Sequence, residues 1–316
     1  MKSDYEDIAL ELLGEPFRRL LARQDLQELS VNYSVATSSC PVFVDRGAGP
    51  MQATGMVLEA RCVEAFIRLL ATAYGKVIDS NEPFLNLILR NGGRFSACTA
   101  PAADGPGFTI RFHWLAGIPL ERFIAGRWQL LVIDDAIRRR LNIVVVGGTG
   151  AGKTTFLNAL IAYLQKLSPH ERLGSIEDEL ELQISAFNLI RRVVRGRADM
   201  RRHVREMLRM RPDRIIVGEV RGAEALDLLK AWNTGHSGGF TTIHANSAEA
   251  ALLRLESLVE EAGVPPSTRL IAEAVDLLIF ISRRPDGVRR IEEMVRVEGC
   301  APDGGYRLKP ITGSDD

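Results

Sequence analysis

Eight consecutive residues carry the plainest chemistry in the sequence: Gly147, Gly148, Thr149, Gly150, Ala151, Gly152, Lys153 and Thr154, with Thr155 directly behind them. They fit G-x-x-x-x-G-K-[ST], the Walker A pattern, between an apolar strand at Asn142-Ile-Val-Val-Val146 and a long helical stretch. Glycines at these places let backbone N–H groups curl around phosphate oxygens, and the helix that follows turns its positive dipole end toward them. The spacing assigns Lys153 to the β- and γ-phosphates, Thr154 to a Mg²⁺ ion and Thr155 to the α-phosphate. A glycine-rich strand–helix turn with a stray lysine is the plainer reading, and the flanking strand and helix count against it. The chain holds no Asn-Lys-x-Asp segment of the kind that reads guanine, so ATP is the expected nucleotide.

Three further sites bear acids or histidines that could serve such a phosphate. Arg214-Ile-Ile-Val-Gly-Glu219 is a hydrophobic strand ending in a carboxylate, as a Walker B element is, and parallel strand ends would bring Glu219 near the Mg²⁺ of Thr154, directly or through water. Ile176-Glu-Asp-Glu-Leu-Glu181 reads by itself as a solvated loop or helix start. If it follows a strand end, Glu177 is placed to orient and deprotonate an attacking water. His236 and His244 have no cysteine or acid at ligand spacing, which makes a poor zinc site. Thr241-Thr-Ile243 reads as a strand that ends at His244, which puts this imidazole within reach of a γ-phosphate, with Ser247 as the N-cap of the next helix.

The elements that must hold these residues are legible in outline. The chain has 316 residues, 46% hydrophobic and 25% charged, with 40 basic and 40 acidic side chains, which is ordinary globular composition and more than one core accommodates. The net charge gives no reason to expect a nucleic-acid or membrane partner. The acidic start leads into no apolar stretch, no run reaches the ~18 apolar residues of a membrane span, and Cys40, Cys62, Cys98 and Cys300 are scattered. A reduced, cytoplasmic setting is expected. Residues 1–115 read as a small α+β domain, with a helix over Ile8–Ala22 and strands at Val42–Asp45 and Phe108–Phe112. Residues 116–126 read as a connector. From 127 to 316, strands alternate with helices as in an α/β domain with a parallel sheet, and Met294–Glu298 with Tyr306–Ile311 read as an appended antiparallel hairpin.

Four blocks, in order, resemble those of the traffic ATPases of type II and type IV secretion: Gly147–Thr154, the acidic box Arg172–Leu182, the strand and flanks Leu208–Gly222, and the histidine box Gly235–Asn246. The chain lacks a four-cysteine zinc insert, and Arg221-Gly222 follows the acid, which is closer to the conjugal-transfer branch. The resemblance implies a RecA-like P-loop ATPase domain behind a smaller α+β domain. It implies a ring of six copies in the cytoplasm, peripheral to the inner membrane, that powers a type IV secretion channel. It also implies that Glu177 and Glu219 are the catalytic and Mg²⁺-water carboxylates and that His244 senses the γ-phosphate. Arg94, in Gly93-Arg-Phe95, and Arg111, in Thr109-Ile-Arg-Phe112, match the segments that complete the site from the N-terminal domain. Val31–Cys40 matches the family's turn only loosely, and Ser237 stands where proline is usual.

Ten arginines and three acids lie between Arg191 and Arg214, with no aromatic residue between Phe187 and Trp232. A nucleic-acid track is possible there, but without base-stacking residues it is not favoured over a surface facing a neighbouring subunit and nucleotide. Two rivals to a secretion motor therefore stay open: a DNA translocase or helicase on the same core, and a nucleotide-gated assembly switch with little turnover.

Overall fold

The computed structural model describes residues 2–46, 50–112, 118–195, 198–284 and 286–313, with the side chains of 2–4 left aside. Two compact units divide the chain: Met1–Trp114 with Pro285–Gly287, and Leu115–Arg284 with Val288–Asp316.

In the first unit, six short strands form an antiparallel sheet: β1 (Glu28–Val31), β2 (Ser39–Asp45), β3 (Gln52–Glu59), β4 (Phe84–Ile88), β5 (Arg94–Cys98) and β6 (Gly107–Arg111), in the order β3-β2-β1-β6-β5-β4. Alternation sorts the side chains. Cys40, Val42, Val44, Phe95, Ala97, Phe108 and Ile110 point to one face, where they pack with α1 (Lys2–Glu11), α2 (Gly14–Leu21) and α3 (Ala60–Ala73). Phe66 of α3 lies 5.1 Å from Phe108 and 5.8 Å from Phe95, ring centre to ring centre. The helix expected over Ile8–Ala22 is broken in two. Pro16 has no N–H to give Leu12 and would crowd its carbonyl, so the proline sits instead in the first turn of α2, where no donor is missed. Leu13, Phe17 and Leu21 still reach the core, whereas Leu12 is left exposed.

The expected connector, 116–126, has its first two residues outside those described. From Ile118 on it packs with the second unit, where Leu120 and Phe123 are buried and Phe123 meets Phe156 edge-on at 5.1 Å. After it come α4 (Arg127–Arg138), β7 (Ile143–Val146), α5 (Lys153–Leu167), β8 (Leu173–Glu177), β9 (Leu189–Val193), α6 (Met200–Leu208), β10 (Arg214–Val217), α7 (Glu224–Asn233), β11 (Phe240–Ile243), α8 (Ala248–Glu260), α9 (Thr268–Ala274), β12 (Leu277–Arg283), β13 (Arg289–Cys300) and β14 (Tyr306–Pro310). The sheet order is β14-β13-β12-β7-β11-β10-β8-β9. Neighbours are parallel from β12 to β9, and β13 and β14 extend the sheet antiparallel. On β7, Ile143 and Val145 face α4 and α5, while Val144 and Val146 face α6 to α9, so both faces are covered and the strand is apolar throughout.

Leu270–Ser282 comprises the end of α9 followed by β12, which pairs with β7 on the side away from β11. Arg214, one of the clustered arginines, is only 1% exposed at the start of β10. It pairs with Glu171 and donates to the carbonyls of Gly238, at 3.1 Å, and Ile137, at 2.9 Å.

Asn142 fastens three strand entrances. Its Oδ1 accepts from Gly238 N (2.7 Å) and Gly239 N (3.0 Å) ahead of β11, and its Nδ2 donates to Ala274 O (2.8 Å) ahead of β12. Its backbone N–H donates to Asp276 Oδ2 at 2.8 Å. Replacing it with alanine orphans two buried N–H groups and a carbonyl, at about 1–3 kcal/mol each. We therefore expect Asn142→Ala to cost at least about 3 kcal/mol, or roughly 6–12 °C in the thermal unfolding of this unit.

Candidate functional site

Parallel strands release their loops at one edge, and here four neighbouring strands deliver the expected residues to it. Val146 is in register with Ile243, and Val217 with Thr241 and Ile176. The glycine loop thus leaves β7 beside His244 at the end of β11. Glu219 follows two residues after β10, and Glu177 is the last residue of β8.

The loop backbone has little freedom to carry side chains. A Cβ on Gly147 would lie 2.7 Å from the carbonyl oxygen of Ile281, so only glycine lets the loop cross this close to β12. Gly152 has φ +91° and would collide at 2.2 Å with Cδ of Arg289. Gly148, Thr149 and Gly150 line the turn, Ala151 is buried, and Thr154 and Thr155 lie half-buried in the first turn of α5.

Lys153 is 7% exposed and folds back over the loop, donating at 3.0 Å to the carbonyls of both Gly147 and Gly148. Its Nζ is 3.1 Å from Nε2 and 3.3 Å from Nδ1 of His244. Burial brings the lysine down to about 8, more than Glu219 holds it up. His244 is likewise depressed, by burial first, against an upward pull from Glu219. The imidazole is accordingly neutral near pH 7, and its contact with Glu219 is not an ion pair of full charges.

Glu219 is largely buried, its side chain 16% exposed. Arg221 donates twice to its Oε2, from Nε at 2.8 Å and from a terminal nitrogen at 2.5 Å. Its Oε1 lies 2.8 Å from Nε2 of His244 without hydrogen-bond alignment, so this oxygen has no donor among the described residues. Glu177 is 2% exposed. Its Oε1 accepts from the backbone N–H of Leu182 at 2.6 Å and of Glu181 at 2.9 Å, and its buried Oε2 has no donor among the described residues. Burial raises its carboxyl above the usual carboxylate range, against the two backbone bonds. The Glu177 side chain lies beside Gly218, whose Cβ would meet its Cγ at 3.4 Å, so both acids border the same loop. The orphaned Oε1 of Glu219 and the Thr154 hydroxyl are oxygen donors, the kind that a hard cation such as Mg²⁺ takes.

Arg94 and Arg111 belong to the first unit. They stand directly opposite each other at the ends of β5 and β6, and Arg111 pairs with Glu28 at 3.1 Å. His236, beyond α7, is half-buried and lies away from this strand edge. Ser247 caps α8 as expected, accepting from Ala250 N at 3.1 Å.

Several of the clustered arginines are engaged internally. Arg201 and Arg205 both hold Asp227 at 2.8 Å, and Arg191 reaches the carbonyl of Ile184 at 3.1 Å. Two side chains at the site were not singled out from sequence. Arg221 was noticed only as a branch marker, and Arg289, far along the chain from Gly152, carried no local signal.

Comparison with known proteins agrees with this picture. The sequence profile of the type II/IV secretion system protein family matches residues 99–297. A conjugal transfer protein TrbB of Rhizobium radiobacter is 42% identical over 263 residues, covering 82% of this chain and 81% of that protein. A probable TrbB of Sinorhizobium fredii is 40% identical over 304 residues, 95% and 91% of the two chains. The type IV secretion system protein PtlH of Bordetella pertussis is 32% identical, over 85% and 89%. Two solved structures share the fold: the pilus retraction motor PilT with bound ADP (TM-score 0.58, 19% identity, 93% and 80% covered) and the Legionella pneumophila ATPase DotB (0.54, 21%, 91% and 76%). The chain belongs to the type II/IV secretion system protein family, with relatives named for conjugal transfer and for type IV secretion.

Proposed function

We propose that this chain is a Mg²⁺-dependent ATPase that works as a cytoplasmic ring of six copies, peripheral to the inner membrane, and powers conjugative transfer through a type IV secretion channel. The observation that carries the chemistry is the buried, donor-free Oε2 of Glu177 at the same strand edge as the Lys153 loop. A structural carboxylate would be expected to satisfy both oxygens, whereas a base needs one oxygen free for a water proton.

In this reading the loop N–H groups of Gly148 to Lys153 hold the phosphate chain. Lys153 exchanges the Gly147 and Gly148 carbonyls for β- and γ-phosphate oxygens. Thr154 and Glu219 hold Mg²⁺, the latter through water, and Thr155 holds the α-phosphate. When bound, the cation neutralises charge on the phosphate oxygens. His244, neutral and next to Lys153, senses the γ-phosphate. Glu177, hydrogen-bonded at Oε1, orients the attacking water with Oε2 and takes its proton. Arg94 and Arg111, fixed and always charged, complete the site from the first unit. The family and its relatives named for conjugal transfer and type IV secretion support the secretion role, and the ring rests on the resemblance of the four sequence blocks. The internal engagement of Arg191, Arg201, Arg205 and Arg214 supports a motor that does not track nucleic acid on that segment.

ATP turnover by the purified protein, with Lys153→Ala as blank, should be accelerated by anionic liposomes and not by single-stranded DNA. Acceleration by DNA alone would favour the translocase. Glu177→Gln should bind nucleotide normally and turn over at least ~100-fold more slowly. An unchanged rate would leave a nucleotide-gated switch.

The lysine gives a pH test. With a folded value of about 8, Lys153 carries its proton at pH 7 and loses it as pH rises through 8. Only the charged form attracts phosphate. Nucleotide affinity without Mg²⁺ should thus fall roughly tenfold from pH 7 to pH 9.

A further inference from the structure

Arg221 is a residue at this edge that the proposed chemistry does not use. Its backbone is fixed from both sides. Glu224, buried at the start of α7, accepts from the N–H of Arg221 (2.6 Å) and Gly222 (2.9 Å) through one oxygen. Val220 N donates to Thr242 O at 3.0 Å, and Thr242 Oγ1 donates to Gly218 O at 2.9 Å. The loop Gly218–Gly222 is therefore tied to β11 and to α7, and the arginine side chain turns back along it.

Its guanidinium spans two acids. Nε and one terminal nitrogen converge on Oε2 of Glu219, and the other terminal nitrogen lies 3.7 Å from Oδ2 of Asp178, the residue after Glu177. Two donors on one oxygen fix the plane of a carboxylate as one donor does not. With Oε2 so held, Oε1 is the oxygen left facing Lys153 and His244 without a donor. Arg221 is itself 56% exposed, and an exposed ion pair contributes little stability. Its effect lies in orienting the buried partner.

We propose that Arg221 is a positioning residue: it holds Glu219 so that Oε1 serves the metal site, and Asp178 holds Arg221 in turn, so that one guanidinium sets the exits of β8 and β10 together. This rests on the nucleotide–Mg²⁺ reading above. A contrary role is physically reasonable, since a cation on the carboxylate could simply compete with Mg²⁺. The two roles predict opposite signs.

The test is binding of a fluorescent ADP analogue to the full chain with and without Mg²⁺. The gain in affinity on adding Mg²⁺ is compared among the unaltered chain, Arg221→Gln, Asp178→Asn and the double variant. Positioning predicts that Arg221→Gln leaves Mg²⁺-free binding within twofold and cuts the Mg²⁺ gain at least ~fivefold, with outer-contact losses of ~10–100-fold as the upper range. Asp178→Asn should cut the gain less, and the double variant should match Arg221→Gln, because Asp178 reaches the metal site through the arginine. A gain that is unchanged or enlarged in Arg221→Gln overturns the proposal, as do losses that multiply in the double variant. Should Arg221→Gln fail to fold, Asp178→Asn carries the test alone, and an unchanged gain there overturns it. No Mg²⁺ gain in the unaltered chain overturns the nucleotide–Mg²⁺ reading and this inference with it.

Discussion

The register of four parallel strands is the constraint from which the rest of the second unit follows. In the order β7-β11-β10-β8, each strand ends within a residue or two of its neighbour's end. Loops that are remote in sequence then share one edge: a lysine loop, a histidine, and two acids. A one-residue slip in this register would move the side chains to the opposite face as well as along the strand. The opposite edge is accordingly fastened hard, by Asn142 across the entrances of β7, β11 and β12 and by Arg214 between Glu171 and two carbonyls. Neither residue is near the phosphate loop. Both act on it by fixing where the strands begin.

The charges at the working edge balance in a particular way. Lys153 is buried and loses solvation, and the groups that compensate are loop carbonyls, a neutral histidine and one acid. Carbonyl dipoles solvate an ammonium less well than water does, which is why its proton is held weakly. Phosphate oxygens offer full negative charge at the same place. Glu177 and Glu219 show the complementary pattern, each with one oxygen satisfied and one buried without a donor. A stability-driven arrangement would pair these oxygens. Their unpaired oxygens leave acceptors open at this edge for a water or a further ligand.

The residues with local signatures were legible from sequence. The glycine spacing marked the loop, the apolar run before Glu219 marked one strand end, because a buried parallel strand is apolar on both faces, and the β-branched Thr241-Thr-Ile243 marked another before His244. What escaped depends on contacts without a local period. Pro16 splits a helix whose apolar spacing runs on unbroken, so periodicity alone joined α1 to α2. Asp276 accepts the Asn142 N–H at the turn from α9 into β12, a partner far away along the chain. Arg214 looked like one of ten similar arginines, and only the fold separates it as the buried one. Arg289 lies against Gly152 through a strand pairing that no spacing announces.

The same distinction bears on the arginines of the first unit. In the second unit, Arg201 and Arg205 converge on a single Asp227, so their charge is partly balanced within the fold. Arg94 and Arg111 are arranged differently, directly opposite each other across β5 and β6 on the face away from the helices. Like charges in facing positions destabilise a sheet, and Glu28, opposite Arg111 on β1, pairs with Arg111 at 3.1 Å.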